Sequence, residues 1–369
     1  MRVKESLASG KKMTTSRRSF LFSVGASALT GSAGIRAAAG LFPPPLYPPT
    51  DLSYFDTPIS AAPPDIRIGY AAITWGGKDH EAIADIAEAG YRGIQLRSNI
   101  VPDYESRPRA LADELAQRHL TFVALSSGDV VIDPEVEARQ IATHLAHAKF
   151  VRECGGLYLQ CIDARPKRPL TKADYQRLGR LLTEIGKRSA DLGIPLGYHN
   201  HMNSIGERPE EIDQILEAAD PRYVKLELDV AHYHQGGGDP IRAIRKYADR
   251  LLFLHIKDVE SPAGSGGPSR SGGSGGSGGS GESGRSGGSG RSEGSRPSRD
   301  YRFVELGRGQ VDVKGVFAAM HEVKFRGWAV VELDAVPDKA RTPKESAVIN
   351  RKYLESIGVQ VVDAQSSLR

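Results

Sequence analysis

From Ile66 onward, short apolar runs alternate with longer amphipathic segments along the chain. The apolar runs are rich in Val, Ile, Leu and aromatic residues, which is typical of buried β-strands. About eight of them can be read in order: "IRIGYAAI", "GIQLR", "TFVALSS", "GLYLQCI", "IPLGYHNH", "YVKLELDV", "LLFLHIKDV" and "GWAVVEL". The segments between them have the apolar spacing of helices, as in "HEAIADIAEAGY" and "TPKESAVINRKYLESIG".

Alternating strands and helices predict a parallel sheet, and about eight such units predict a closed (β/α)₈ barrel. We therefore expect one α/β domain, a TIM barrel over residues 66–358. An open doubly wound sheet is the alternative. That fold favours a glycine-rich phosphate turn after its first strand, and "ITWGGKDHEAI" lacks the GxGxxG spacing.

One segment interrupts the alternation after the seventh strand. Residues 261–300 are almost entirely Gly and Ser with scattered Arg, a composition that cannot bury apolar area and predicts a disordered insertion. Its position places it in a loop on the catalytic face of the barrel. A neutral expansion is the favoured interpretation, with a carbohydrate- or surface-binding arm as the alternative. Residues 359–369 form a C-terminal tail.

The N-terminus has the features of an export signal. Arg17 and Arg18 precede a moderately apolar Ala/Gly/Ser stretch, and Ala37-x-Ala39 is a small-residue cleavage site. Residues 1–39 are therefore predicted to be a twin-arginine signal peptide, and residues 40–65 a Pro-rich linker. The predicted location is periplasmic or extracellular. The apolar run is too short and too rich in Gly and Ser for a membrane helix, so no stable span is expected in the mature form.

Composition and cysteine spacing narrow the class of protein. The 369 residues are 39% hydrophobic and 25% charged, with a net charge of +4, which is ordinary for a globular protein. The sequence has no basic patch interleaved with aromatic residues, so it does not predict nucleic-acid binding. Cys154 and Cys161 are separated by a strand-like segment that spans roughly 20 Å when extended. A disulfide requires Cα atoms within about 7 Å. We therefore predict two free, mostly buried thiols.

Polar side chains end four consecutive predicted strands. Residues two apart on a strand share a face, and the carboxyl ends of barrel strands carry the active site. Histidines and carboxylates gathered there form an N/O donor set for a divalent metal. The residues are His199 and His201 on the fifth strand, Asp229 on the sixth with His232 just after it, His255 and Lys257 on the seventh, and Glu332 with Asp334 on the eighth.

Five stretches carry the polar strand ends and their surroundings: "YHNHM", "LELDVAHYHQGGGDP", "LLFLHIKDV", "FVELGRGQVD" and "GWAVVELD". Together they resemble the xylose-isomerase-like barrel family, which includes sugar phosphate isomerases/epimerases and inosose dehydratases. The resemblance implies a site for Mn²⁺, Mg²⁺, Co²⁺ or Zn²⁺ with Asp229, His255 and Glu332 as ligands. The strand-five ligand is usually Glu in this family and is His199 here. Either His199 binds the metal through a ring nitrogen, or Glu207 reaches in from the following loop.

The resemblance further implies His201, His232 and Lys257 as substrate-facing acid/base groups. The metal would hold a carbonyl and a neighbouring hydroxyl of a sugar or cyclitol and stabilise the enediolate left by removal of the α-proton. Any of the three residues is a candidate base, with Lys257 deprotonated if its pKa is near neutral. Return of the proton makes an isomerase or epimerase, whereas loss of a β-hydroxyl makes a dehydratase.

Two residues near the first strands are candidate substrate contacts. Trp75 follows the first strand and would stack on a sugar ring or simply pack at the barrel mouth. Arg97 ends the second strand and would bind a phosphate or carboxylate. Because an exported enzyme meets few sugar phosphates, we expect an unphosphorylated sugar, keto-sugar or glycoside. The oligomeric state, a homo-oligomer included, stays open.

Two other functions remain as alternatives. One is a non-catalytic carbohydrate-binding barrel. The other is a DNA-repair endonuclease of the same superfamily, which needs further His and Glu ligands on strands two to four. Export away from DNA counts against an endonuclease. The ends of strands two to four also lack those ligands and instead carry Gln95, Arg97, Ser126, Ser127 and Gln160.

Overall fold

A computed structural model describes residues 66–261 and 301–361. Within these ranges, eight parallel strands close into a barrel in which chain neighbours pair and the first strand pairs with the last. This confirms the predicted (β/α)₈ barrel and excludes the open sheet. The barrel strands are β1 (Ile66–Ala71), β2 (Gly93–Arg97), β3 (Thr121–Val130), β4 (Tyr158–Asp163), β5 (Leu196–His199), β6 (Val224–Asp229), β7 (Leu251–Ile256) and β10 (Gly327–Val331).

Helices surround the barrel and begin at recognisable caps. Thr171 and Thr342 each form a capping box with the carboxylate three residues later, which satisfies backbone N–H groups at the helix start. The helices are α1 (Asp79–Glu88), α2 (Val101–Tyr104), α3 (Pro108–Gln117), α4 (Glu137–Glu153), α5 (Lys172–Asp191), α6 (Pro209–Ala218), α7 (Val230–Gln235), α8 (Pro240–Lys246), α9 (Val313–Glu322) and α10 (Pro343–Ser356). Short 3₁₀ turns cover Ala72–Trp75, Ser98–Ile100, Pro134–Val136 and Ala248–Arg250.

The interior of the barrel is apolar at its base and polar above. Val123, Phe253, Trp328 and Val330 form a buried cluster inside the strands. Trp328 fits there because Gly93 faces it, and a Cβ at Gly93 would overlap the indole ring. Since inward positions recur every second residue, the next inward residue on each strand lies one layer nearer the mouth. The apolar base therefore supports a polar layer built from those residues.

Two short paired strands flank the Gly/Ser segment, one before it and one after it. Strands β8 (Asp258–Glu260) and β9 (Arg302–Val304) pair antiparallel, with Glu260 opposite Arg302. The Asp258 carboxylate accepts backbone hydrogen bonds from Gly307, Gly309 and Val311 and so fixes the returning chain. Residues 262–300 of the predicted insertion lie outside the described residues. The same applies to the signal peptide with Arg17 and Arg18, the linker at 40–65, and residues 362–369 of the tail.

Two further predictions concern the described residues. Cys154 and Cys161 are both buried and free, as the strand between them requires. Across 66–261 and 301–361, every helix falls short of the length and hydropathy needed to cross a bilayer.

Replacing residues 262–300 with a short turn is expected to leave the barrel folded. Glu260 and Arg302 already pair across the hairpin, so a short connection can join them. Loop length changes free energy by only about 0.6 kcal/mol per doubling. Circular dichroism should give a melting temperature within a few degrees of the parent protein. Loss of soluble folded protein would show instead that the segment packs on the barrel.

Candidate metal centre

Four strand ends bring their side chains to one point inside the barrel. Strand pairing sets Asp229 opposite His255, and the Glu332 backbone N–H donates to the Ile256 carbonyl at 3.1 Å, which holds the end of β10 against β7. His199, at the end of β5, faces the same interior. The four side chains are buried, and one donor atom of each lies within 4.8 Å of all the others. Residues that are far apart in the sequence, on four separate strands, therefore form a single cluster.

His255 lies at the centre of this cluster. Its Nδ1 is 3.6 Å from Asp229 Oδ2, 3.3 Å from Glu332 Oε2 and 3.3 Å from Glu227 Oε1. Its Nε2 lies 2.6 Å from Gln95 Oε1, an acceptor, so Nε2 carries a hydrogen and Nδ1 faces the carboxylates. Burial opposes protonation of the ring, but Glu227 and Glu332 outweigh it and raise the pKa of His255 well above its usual value.

The carboxylates of the cluster are ionised and held in place. Asp229 Oδ1 accepts the backbone N–H groups of Ala231 and His232, both at 2.8 Å, at the start of α7. This leaves Oδ2 directed at the cluster. Burial opposes ionisation of Glu332, yet His255 and Lys257 hold the pKa of Glu332 well below its usual range. The same balance, led by Lys257, lowers the pKa of Asp229.

Several buried donor atoms of the cluster lack a hydrogen-bond partner among the described residues: His199 Nδ1, Glu227 Oε1, Asp229 Oδ2 and His255 Nδ1. Buried polar atoms are normally satisfied, so converging unsatisfied atoms require an explanation. Imidazole nitrogens and carboxylate oxygens are the donors that Zn²⁺ and related divalent cations bind. The residues present therefore fit a divalent cation.

Lys257 lies beside the cluster and is a cation. Its buried Nζ donates to Glu332 Oε1 at 2.9 Å and to Asp334 Oδ1 at 2.5 Å. Burial opposes the charge, but these carboxylates and Asp229 outweigh it and raise the pKa of Lys257 above its usual value. This raised pKa does not meet the condition of a near-neutral pKa under which Lys257 was a candidate base. The sequence places these carboxylates at the same barrel mouth as Lys257 but does not give their distances from the ammonium group.

His201 and His232 stack next to this lysine, with ring centroids 3.8 Å apart. Burial, with His199 and Lys257 nearby, lowers the pKa of His201 to about 4. Burial followed by Lys257 lowers the pKa of His232 well below its usual value. His201 Nδ1 lies 2.6 Å from the Met202 carbonyl, so Nδ1 carries the hydrogen and Nε2 keeps its lone pair. Both rings are therefore neutral at neutral pH.

His199, His201 and His232 are also close enough to hold a metal ion, but their surroundings oppose one. The Met202 backbone N–H lies 3.2 Å from His232 Nδ1, and the Lys257 ammonium lies 3.2 Å from His232 Nε2. Both ring nitrogens therefore face N–H donors. A cation at this position would compete with Lys257 for Nε2 and would be repelled by its charge. The buried donor set around His255 is the better site.

Comparison with known proteins identifies the family of this barrel. Residues 83–356 match the family described as xylose isomerase-like TIM barrel. The chain belongs to this family. Inosose dehydratases are among its relatives: that of Lacticaseibacillus casei is 26% identical over 317 residues, covering 79% of this chain and 97% of the relative. That of Geobacillus kaustophilus is 24% identical over 330 residues, covering 81% and 97%.

Solved structures show that the xylose isomerase-like fold is shared. An IolI protein with a bound zinc atom has a TM-score of 0.61 at 17% identity, covering 79% of this chain and 98% of that one. An L-ribulose 3-epimerase has a TM-score of 0.60 at 16% identity, covering 79% and 94%. At these identities the likeness concerns the fold.

Other candidates for the site of this xylose isomerase-like barrel lie apart from the cluster. Glu207 Oε2 accepts the Asn203 backbone N–H at 3.0 Å and lies 3.9 Å from Arg165, so His199 and not Glu207 belongs to the donor set. Trp75 is only 4% exposed, and its indole donates to Asp85 at 2.9 Å. The structure thus places Trp75 in packing against α1 and does not bring it to the substrate side.

Arg97, a predicted substrate contact, lies at the mouth of the barrel. Arg97 is exposed at the end of β2, two residues beyond Gln95 and on the same face, so it remains available at the mouth.

Three polar residues line the barrel just below the donor set: Glu227, Gln95 and Gln160. No role at the site was predicted for them from their sequence positions. The signal for Glu227 was present, because "LELD" puts it two residues before Asp229 and therefore on the same face.

Proposed function

We propose that this chain is a metal-dependent enzyme that removes the proton next to a carbonyl of an unphosphorylated sugar or cyclitol. The observation that carries the proposal is the buried donor set beside two neutral histidines and a lysine whose ammonium group is paired with carboxylates. Relatives named inosose dehydratase and L-ribulose 3-epimerase support a polyol substrate bearing a carbonyl. They also support an enzyme over a carbohydrate-binding barrel.

The metal would be held by the four buried residues of the donor set: His199, Asp229, His255 and Glu332. A divalent cation bound there, whether Mn²⁺, Mg²⁺, Co²⁺ or Zn²⁺, supplies Lewis acidity that polarises a substrate carbonyl. The zinc in the IolI structure supports a divalent ion. Gln95 keeps the His255 ring in the orientation that turns Nδ1 toward the carboxylates.

The proton is assigned to a histidine. His201 is half-buried and its Nε2 has a free lone pair, so it can accept a proton from a carbon bound over the donor set. His232 stacks against His201, and N–H donors face both of its ring nitrogens, so it holds the His201 ring in position. Lys257 is charged, so it acts as a hydrogen-bond donor that stabilises negative charge on a substrate oxygen. The base and the cationic acid are therefore different residues.

Isomerisation or epimerisation is the first assignment, and dehydration is a second candidate that one observation favours. His201 and His232 stack together, with Lys257 next to His232. Epimerisation with two opposed bases needs groups on both faces of the substrate, whereas elimination needs a base and an acid. Lys257 could donate the proton that lets a β-hydroxyl leave as water. We also infer export by the twin-arginine route from Arg17 and Arg18, on the sequence alone.

Solvent exchange tests the shared first step of both reactions. Protein stripped with a chelator and protein reloaded with Zn²⁺, Mn²⁺, Co²⁺ or Mg²⁺ are incubated with an inosose or with L-ribulose in D₂O. We expect deuterium at the carbon next to the carbonyl by NMR only with reloaded protein. The accompanying product separates isomer from dehydration product. Sugar binding without exchange in metal-loaded protein would refute the proposal and favour a carbohydrate-binding barrel.

A further inference from the structure

Glu227 occupies an inward position in the middle of β6, two residues before Asp229, and is fully buried. Its Oε1 lies 3.3 Å from His255 Nδ1, and its Oε2 contacts His199 Nδ1. Oε1 has no hydrogen-bond partner among the described residues. An ionised carboxylate placed this deep needs compensation by a positive charge or by hydrogen bonds. The free oxygen of Glu227 faces the same point as the four residues of the donor set.

Two amides hold Glu227 in this orientation. His255 Nε2 donates to Gln95 Oε1 at 2.6 Å, and Gln95 Nε2 donates to Gln160 Oε1 at 3.4 Å. Gln160 Nε2 then donates to Glu227 Oε2 at 3.1 Å. Each amide uses its oxygen as acceptor and its nitrogen as donor, so the series runs in one direction and ends on the carboxylate. With Oε2 engaged by Gln160, Oε1 is left directed at the donor set.

The number of carboxylates at the site explains why a further one would be useful there. Two carboxylates, Asp229 and Glu332, belong to the donor set, and Glu332 also pairs with Lys257 at 2.9 Å. His199 contributes no negative charge when it is a neutral ligand. Glu227 lies on the adjacent strand, directly opposite His199 in the pairing of β5 with β6. A third carboxylate at this position restores the negative charge that a histidine on β5 cannot supply.

We propose that Glu227 is a further metal ligand, which contributes the carboxylate that β5 lacks through Oε1. Gln95 and Gln160 are its positioning residues. The inference rests on the proposed metal site, but it is tested by metal binding and needs no substrate.

Glu227→Gln removes the charge with little change of shape. Zn²⁺ and Mn²⁺ affinities are measured by competition with a chelating dye. Loss of a residue that only orients a ligand typically weakens metal binding about 10–100-fold, so we expect Glu227→Gln to exceed about 100-fold and Gln160→Leu to stay within that range. Glu305→Gln is the matched control, because Glu305 is equally buried but bonds Ser346 and Arg341. Its metal affinity should equal that of the parent.

A rescue experiment separates a ligand from a structural residue. The double variant His199→Glu with Glu227→Gln places a carboxylate on β5 and should regain most of the lost affinity. If Glu227 only supported the fold, Glu227→Gln would lower the affinity by the same factor in the His199→Glu background as in the parent protein. The visible absorption of Co²⁺-loaded protein should also change in Glu227→Gln, because a changed ligand set alters the coordination geometry. An unchanged Co²⁺ spectrum and unchanged affinity would overturn the inference.

A crystal structure of the Zn²⁺-loaded parent decides the matter even if Glu227→Gln fails to fold. Glu227 Oε1 should lie about 2.0–2.2 Å from the ion. An ion bound by the other four residues, with Glu227 Oε1 beyond bonding distance, would refute this inference and leave the proposed function standing. A parent protein that binds no divalent ion at all would refute the proposed function as well.

Discussion

Asp229→Asn and His255→Ala are each expected to abolish tight metal binding, and with it activity, while the barrel stays folded. Both residues lie at the carboxyl ends of strands, where a barrel carries function and its base carries stability. Asparagine keeps an oxygen to accept the Ala231 and His232 N–H groups at the start of α7. Asp229→Ala would in addition lose this helix cap, worth about 1 kcal/mol.

Metal content per chain after dialysis, by mass spectrometry, and thermal unfolding by circular dichroism check this expectation together. His144→Ala is the control, since His144 is a buried histidine on the outer side of β3 that bonds Ser127 at 2.7 Å. It should bind metal like the parent protein. Stoichiometric metal in both Asp229→Asn and His255→Ala would show that the ion, if any, is bound elsewhere.

Metal binding by the parent protein is expected to depend on pH. The pKa of His255 is raised well above its usual value, so in the metal-free protein a proton occupies the ring at neutral pH. A metal must displace that proton, and its apparent affinity should therefore rise with pH by up to about tenfold per unit below the raised pKa. The stability of the metal-free protein moves the other way. The proton stabilises the fold below the unfolded pKa, and this contribution is lost as pH rises through the folded pKa.

Much of this site follows from strand periodicity. Once the alternation of strands and helices is read as a closed barrel, inward positions recur every second residue, and strand ends meet at one mouth. That is sufficient to bring His255 and Lys257 together with Glu332 from the sequence. It also suffices to place His199 and His201 on one side. These predictions depend on local geometry, which the sequence specifies.

Other features depend on where regular geometry breaks. The pairing of β2 with β3 shifts register between Ile94 and Gln95, a bulge that the sequence does not announce. Beyond it, Ser127 points outward to His144 and away from the barrel interior. Likewise, a 3₁₀ turn after β1 carries Trp75 outward to Asp85. A single added or turned residue reverses the face on which a side chain lies.

Protonation states and long-range contacts were also beyond the sequence. Whether Lys257 is a base or a cation depends on its distances to carboxylates on other strands. The role of Glu227 depends on amides that reach it from β2 and β4. Each polar residue alone is compatible with several roles. The closed barrel selects among them by setting which residues share a layer.

Lys257→Met is expected to retain the metal but to lower the rate of α-proton exchange by about 10²–10⁴-fold, the range typical of a positioned acid/base group. Methionine keeps much of the volume of lysine in this fully buried position and removes the ammonium that faces the substrate side. The variant also frees Glu332 Oε1 from its 2.9 Å ion pair. Metal affinity should therefore stay equal or increase, which is opposite to the effect of Glu227→Gln.

The pH profile separates the two roles considered for this residue. The raised pKa of Lys257 keeps it charged throughout the neutral range, so the parent profile should contain no limb due to lysine deprotonation there. If Lys257 were instead the base, the rate would rise with pH through its titration, and Lys257→Met would remove that limb. Deuterium exchange measured from about pH 6 to 9 distinguishes these outcomes. Burial lowers the pKa of His201 to about 4, so this histidine should add no limb of its own within that pH range.

Folding must be controlled, because removing one partner of a buried ion pair costs about 3–5 kcal/mol. In Lys257→Met the carboxylates of Glu332 and Asp334, the latter 2.5 Å from Nζ in the parent, lose their cation. A bound divalent ion offsets part of this cost, so the variant should melt lower than the parent without metal and close to it with Zn²⁺. Lys257→Arg keeps the charge but not the position of a single donor, and should fold well yet exchange slowly. Parental exchange rates in Lys257→Met would exclude Lys257 from the chemistry and leave it a structural cation.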